Sequence, residues 1–272
     1  MKRLFSPSDD EYIREHYLTT PYKELAKKFN VTERQMRGHI NNIGLSKLNK
    51  VNCSFFHEID SPSKAYWLGF LYADGWIDFN EDRRTYTVGV EVQSNDVSIL
   101  IALALDMNMP CSIQSRNRHI SFNGHSYDSH TSHVRFYSKA LCEDLINLGV
   151  VPRKTDLPIY PQISNFQDCF IRGFLDGDGC IALTHNKSGD KYIQMVHFTN
   201  SNLEFLNFLS SIIEENCCVS GRIYKENDKK YRLYYSSLDS IRAVLNWIYS
   251  REDCPSLKRK YEIYSSYIGL AV

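Results

Sequence analysis

Apolar positions along this chain alternate between a helical period and a strand-like one, and past residue 63 the same succession runs twice. The first round opens on the apolar run Trp67-Leu68-Gly69-Phe70-Leu71-Tyr72-Ala73-Asp74-Gly75. From Thr85 to Gln93, Tyr86, Val88, Val90 and Val92 then alternate with Thr87, Gly89 and Glu91, which predicts a strand with one buried face. Ser94-Asn95-Asp96 is read as the cap of a helix through about Met107. A polar hairpin follows over Cys111–Phe122 and Ser132–Tyr137, then a helix over Lys139–Leu148. The second round begins at Ser164 and reaches Ile171-Arg172-Gly173-Phe174-Leu175-Asp176-Gly177-Asp178-Gly179. It continues with a strand at Tyr192–Phe198, a helix from Asn200-Ser201-Asn202 to about Asn216, a basic hairpin, and a helix from about Leu238 to Tyr249. Each unit reads as helix, two strands, helix, two strands, helix. One residue separates the last Gly of each opening run from an Ile, Ile77 and Ile181.

Residues 1–50 follow another pattern. Ser6-Pro7 with Asp9, Asp10 and Glu11 starts one helix. Thr20-Pro21 starts a second, with Leu25, Ala26 and Phe29 on one face. Thr32 caps a third that carries Met36, Ile40 and Ile43 at helical spacing and is closed by Gly44. Two short helices joined by a tight turn, the last bearing Arg34, Gln35 and Arg37, have the form of a helix-turn-helix reader. Lys and Arg outnumber acids here by 10 to 6. Residues 51–62 read as a linker, although Phe55 and Phe56 imply that it docks. The boundaries expected are 1–50, 51–62, 63–155 and 156–272.

Composition alters little of this. The 272 residues carry 32 basic and 32 acidic side chains, so a nucleic-acid surface must be built from local clusters. Eight Cys without a C-x-x-C pair read as reduced thiols rather than a zinc site. The first residues lack the apolar run of a signal peptide, and no stretch approaches a membrane span. A cytoplasmic or organellar location, not a secreted one, is expected. The His-rich hairpin matches no metal-ligand spacing. It is read as DNA-facing through Arg116, Arg118, His133 and Arg135, as is the second hairpin through Arg222, Lys225, Lys229, Lys230 and Arg232. Face alternation adds Thr85, Thr87 and Glu91 from the first unit and His197 from the second.

The two apolar runs carry the chemistry. Gly69 and Ala73, like Gly173 and Gly177, are four apart and share a helical face. Small residues at this spacing let two backbones approach closely. If the two helices pack along that face, Asp74 and Asp178 meet at their C-terminal ends. There each carboxylate opposes the helix dipole at a cost of about 0.3–1 kcal/mol. A divalent cation, Mg2+ or Mn2+, would offset that cost and the mutual repulsion, and would suit phosphodiester hydrolysis.

With these residues in view, the paired runs resemble the two motifs of single-chain LAGLIDADG homing endonucleases. The resemblance covers roughly residues 63–268. It implies an α+β fold of two pseudo-twofold αββαββα halves whose antiparallel sheets form a saddle on DNA, here preceded by a small all-α helix-turn-helix domain. It implies a monomeric, Mg2+-dependent, site-specific endonuclease for double-stranded DNA, a nuclease tied to intron mobility, with no membrane partner. Asp74 and Asp178 fall on the family's metal-binding acids, and Lys154 and Lys260 on its catalytic lysines. Tyr72 departs from the motif, where Asp176 keeps its acid. The alternative is a non-cleaving nucleic-acid binder: a LAGLIDADG-type transcriptional regulator, or an RNA maturase with intron RNA as partner.

Overall fold

A computed structural model describes residues 5–17, 20–45, 51–80, 82, 84–109, 113–122, 125–151, 163–228 and 230–268. Three short helices come first: α1 (Pro7–His16), α2 (Tyr22–Lys28) and α3 (Glu33–Asn42). Ser6 and Thr32 each build a reciprocal capping box, with Asp9 and Gln35 respectively. The helices close on a small core of their own, made by Phe5, Ile13, Tyr17, Leu25, Ala26, Met36, Ile40 and Leu45.

The first repeat is α4 (Pro62–Asp74), β1 (Gly75–Asn80), β2 (Thr85–Gln93), α5 (Val97–Asp106), β3 (Gln114–Phe122), β4 (His125–Tyr137) and α6 (Lys139–Asn147). The second is α7 (Gln167–Asp178), β5 (Gly179–His185), β6 (Lys191–Asn200), α8 (Leu203–Cys217), β7 (Arg222–Asn227), β8 (Lys230–Tyr235) and α9 (Leu238–Ile248), with α10 (Lys258–Tyr267) after it. Each half holds one four-stranded antiparallel sheet, ordered β1-β2-β4-β3 and β5-β6-β8-β7. The duplicated α+β architecture expected from the periodicities is present.

Within the expected linker, residues 51–62, Phe55 and Phe56 dock as anticipated: both are buried in the main core, and the Asn52 N–H donates to the Met107 carbonyl at 2.9 Å. One expectation needed correction. Ser94–Asp96 forms a 3-10 turn instead of a side-chain cap. Asp96 spends its carboxylate on Arg259.

The halves join through α4 and α7, which run side by side in the same direction. α4 is buried continuously from Ala65 to Leu71 and α7 from Asp168 to Asp176, as helices enclosed on every side must be. Their approach is set by glycine. A Cβ at Gly69 would lie 2.0 Å from the Phe170 carbonyl oxygen, and one at Gly173 would lie 2.0 Å from that of Tyr66. At the far end, a Cβ at Gly177 would be 2.4 Å from Ala73 Cβ. The small-residue spacing thus works as anticipated.

Candidate nucleic-acid interface and metal centre

Both α4 and α7 stop where their last Asp meets Gly, and the chain passes straight into the first strand of each sheet. Asp74 and Asp178 are both exposed at these ends. A Cβ at Gly177 would lie 3.3 Å from Asp74 Oδ2, so the Asp74 carboxylate sits against the last turn of α7, the turn that ends at Asp178. Among the described residues, no group of three or more His, Cys, Asp or Glu is arranged to hold a metal. The donor set is therefore two carboxylates at adjoining helix ends. That suits a hard cation that keeps waters and takes further oxygens from a phosphate, as Mg2+ does.

Asp176, two residues before Asp178, serves a different purpose. It is only 2 % exposed. Its Oδ2 accepts from the Tyr66 hydroxyl at 2.7 Å and from the Leu257 N–H at 2.7 Å. Burial pushes its carboxyl up to about 6, against the pull of Lys260 and of those hydrogen bonds. Tyr72, at the matching place on α4, stacks on Phe205 with ring centroids 4.5 Å apart. The motif's asymmetry is one of packing: one half ties down the segment before α10, and the other packs α4 against Phe205 of α8.

Lys260 is placed otherwise than expected. It is 3 % exposed, and its ammonium donates to the carbonyls of Leu175, Asp176 and Gly179 at 2.5, 2.9 and 2.7 Å. Three donors meet three acceptors, which leaves none for a phosphate. Burial pulls its pKa down to about 8, opposed by Asp176. In this geometry Lys260 satisfies the open carbonyls at the end of α7 and braces the turn that carries Asp178. Lys154 and Lys229 lie outside the described residues.

The sheet faces turned away from the helices are polar. On the first, Glu91 accepts from Arg118 (3.1 Å) and Thr131 (2.6 Å), with Arg116 at 3.7 Å. Thr85 is exposed. Thr87 and His133 share the face but are only 8 % and 6 % exposed, which removes them as direct readers. Long neighbours cover the central strands: Trp76 lies across Gly89, where a Cβ would meet its ring at 2.2 Å, and Arg135 sits over that ring. On the second sheet His197, Arg222, Lys230 and Arg232 share the polar face, with Arg232 held by Glu226 at 2.6 Å. Lys225 departs from expectation. It alternates with Arg222, on the side of the half-buried Ile223, and pairs with Asp228 at 2.9 Å.

Unpartnered buried atoms recur on these faces: His133 Nδ1, Arg135 Nε, His197 Nδ1 and Arg232 Nε. On α3, Arg34 and Arg37 are exposed, whereas the Gln35 side chain is occupied by the Thr32 cap. The sequence reading missed Arg172. It is fully buried in α7 and donates to the carbonyls of Ile248, Arg251 and Cys254 at 2.7–2.9 Å, pinning the segment that leads to α10. An Arg inside an otherwise apolar helical run was the one available signal.

Residues 165–249 match a family model described as a LAGLIDADG-like domain. The homing endonuclease I-ApeI of Aeropyrum pernix is 28 % identical over 158 residues, which span 54 % of this chain and 68 % of that protein. A solved structure of I-DmoI in complex with DNA and Ca has a TM-score of 0.48 at 18 % identity, covering 79 % of this chain and 100 % of that one. I-SmaMI bound to uncleaved DNA target in the presence of calcium ions has a TM-score of 0.46 at 14 % identity, covering 74 % and 88 %. The second motif, Ile171–Gly179, lies inside the matched domain, and the first half repeats the same helix-and-sheet plan.

Proposed function

We propose that the chain is a site-specific endonuclease for double-stranded DNA, with Mg2+ as its divalent metal. The observation that carries the reading is the pair of exposed carboxylates, Asp74 and Asp178, at the adjoining C-terminal ends of two tightly packed helices. Each helix leads directly into a sheet with a polar open face. A divalent cation held by Asp74 and Asp178 together with phosphate oxygens would neutralise developing charge and lower the pKa of bound water. The protein's own part is positional. Gly69, Gly173 and Gly177 set the helix spacing, and Lys260 braces the α7 end. Arg116, Arg118, Arg222 and Arg232 supply cations to the DNA backbone and base edges. Because the two halves are one chain, a single copy provides both half-sites. The relative I-ApeI, named a homing endonuclease, supports this class of activity.

The three-helix module at residues 5–45 is the second DNA contact in this reading, with Arg34 and Arg37 exposed on α3. The protein is to be incubated with Mg2+ and a duplex library covering the sequence around its own gene. Cleavage at one site is expected. Asp178→Asn should lose cleavage by at least about 100-fold while keeping its affinity for that duplex, since it removes a metal ligand and leaves the sheets intact. Full cleavage by Asp178→Asn would sink the catalytic assignment. Binding without any cut or nick by the wild type would convert the reading to a non-cleaving regulator.

A further inference from the structure

Lys260 is turned inward, and two cavities flanking the helix ends each offer another cation beside an aspartate. One, of about 260 Å³, is lined by Asp178, Thr199 and Lys230. The other, of about 370 Å³, is lined by Asp74, Glu91, Thr131 and Arg259. Strand register makes them pseudo-twofold equivalents. Val90 pairs with Gly75 and Val134, and Phe198 pairs with Gly179 and Leu233. Counting along these ladders, Glu91 corresponds to Thr199, and Thr131 corresponds to Lys230. The halves therefore differ in kind at both positions: Glu91 with the Thr131 hydroxyl bound to it in the first, Thr199 with the Lys230 ammonium in the second.

Among the described residues each cavity has one lining cation, drawn from a different element. Lys230 opens β8, and its side chain is 43 % exposed beside Glu226 at 3.3 Å. Arg259 lies in the first turn of α10, reaches across from the second half to the Asp74 cavity, and is 56 % exposed while it pairs with Asp96 at 3.0 Å. The cation of each pair is solvent-exposed, and surface pairs are worth about 0–1 kcal/mol, so a phosphate can compete for either cation. Arg suits a bidentate contact with phosphate, and Lys suits a point contact.

We propose that Lys230 and Arg259 are further catalytic residues, each contacting the scissile phosphate of one strand; this rests on the endonuclease reading above. In the step they assist, a water oxygen bonds to phosphorus and gives up a proton as one P–O ester bond breaks. The departing oxygen takes a proton. Lys230 or Arg259 stabilises the charge on the non-bridging oxygens meanwhile. The two half-sites are then chemically distinct, and each strand depends on its own cation.

The test uses the full chain, Mg2+ and the library duplex it cuts, with its two strands carrying different fluorescent labels. Lys230→Ala should slow cleavage of one strand about 100-fold and accumulate duplex nicked in the other, and Arg259→Ala should do the reverse. Lys230→Arg and Arg259→Lys should recover most of the rate. Arg259→Ala combined with Thr131→Lys should restore the strand lost in Arg259→Ala alone, because it places an ammonium where the second half already has one. Unchanged thermal melts would exclude misfolding, as both side chains are substantially exposed. Equal slowing of both strands by either variant, or of neither, would overturn the proposal. A wild type that cuts neither strand would instead bring down the endonuclease reading, and this one with it.

Discussion

His197 sits mid-strand on β6, opposite Tyr234 and Cys180, and carries a buried Nδ1 without a partner. Burial pulls its pKa down to about 4; the neighbouring Arg232 and Lys230 act the same way and Glu226 opposes. The folded chain thus keeps His197 neutral where the unfolded chain, with an ordinary His pKa of about 6.5, takes up a proton. Between pH 6.5 and 4 the unfolded state binds more protons, so stability must fall as the pH falls through that window. Urea denaturation of the wild type at pH 7 and pH 5 should show this loss, and His197→Gln should shrink it. His133 keeps part of the effect, because burial lowers its pKa too. A variant with the same pH dependence as the wild type would show that His197 is solvated. Face alternation placed His197 in the sequence, yet its burial depends on side chains from β8, which no local pattern encodes.

At the scale of elements, the α4–α7 pair decides whether the two halves meet in register. Adding one methyl at Gly173 puts carbon 2.0 Å from a backbone oxygen that cannot turn aside. Gly173→Ala should therefore destabilise the chain by at least about 3 kcal/mol, the upper end for overpacking. Gly38→Ala in α3 is the contrast, with nothing within 4 Å of the new methyl. It should gain roughly 0.5–1 kcal/mol from helix propensity. Chemical denaturation of both variants gives the comparison, and equal effects would dismiss close helix approach as the reason for the glycines. These glycines were legible because their spacing repeats in the two runs. Lys260 and Arg172 were not. Nothing in a sequence says that a lysine 81 to 85 residues downstream will cap a helix, or that a buried arginine will bind carbonyls of the segment before α10.

For the whole molecule, the three-helix module has its own core, while the repeats share one continuous core. A chain that begins at residue 51 should therefore keep the wild-type thermal transition of the repeats. It should bind its duplex more weakly and with a shallower salt dependence, by about one unit of slope for each lost phosphate contact. Salt titrations of binding for the two chains test this. Unchanged affinity and slope would remove the module from the DNA contact. The sequence's zero net charge is also reconciled at this scale, since Glu91, Glu226 and Asp96 hold the basic side chains at the sites where DNA is expected.

The sequence alone determined what repeats: two apolar runs with small residues four apart, each closed by Asp-Gly, each followed by strands of period two. Those are local facts, set by helix and strand geometry, and they determined the α+β plan and the placing of Asp74 and Asp178 at the ends of equivalent helices. Tertiary structure alone decided which cations line the cavities beside the aspartates. Charge state, burial and direction depend on neighbours far along the chain. So Lys260, drawn inward by three carbonyls, braces the fold, while Lys230 and Arg259, each paired with one carboxylate, line the cavities next to the two aspartates.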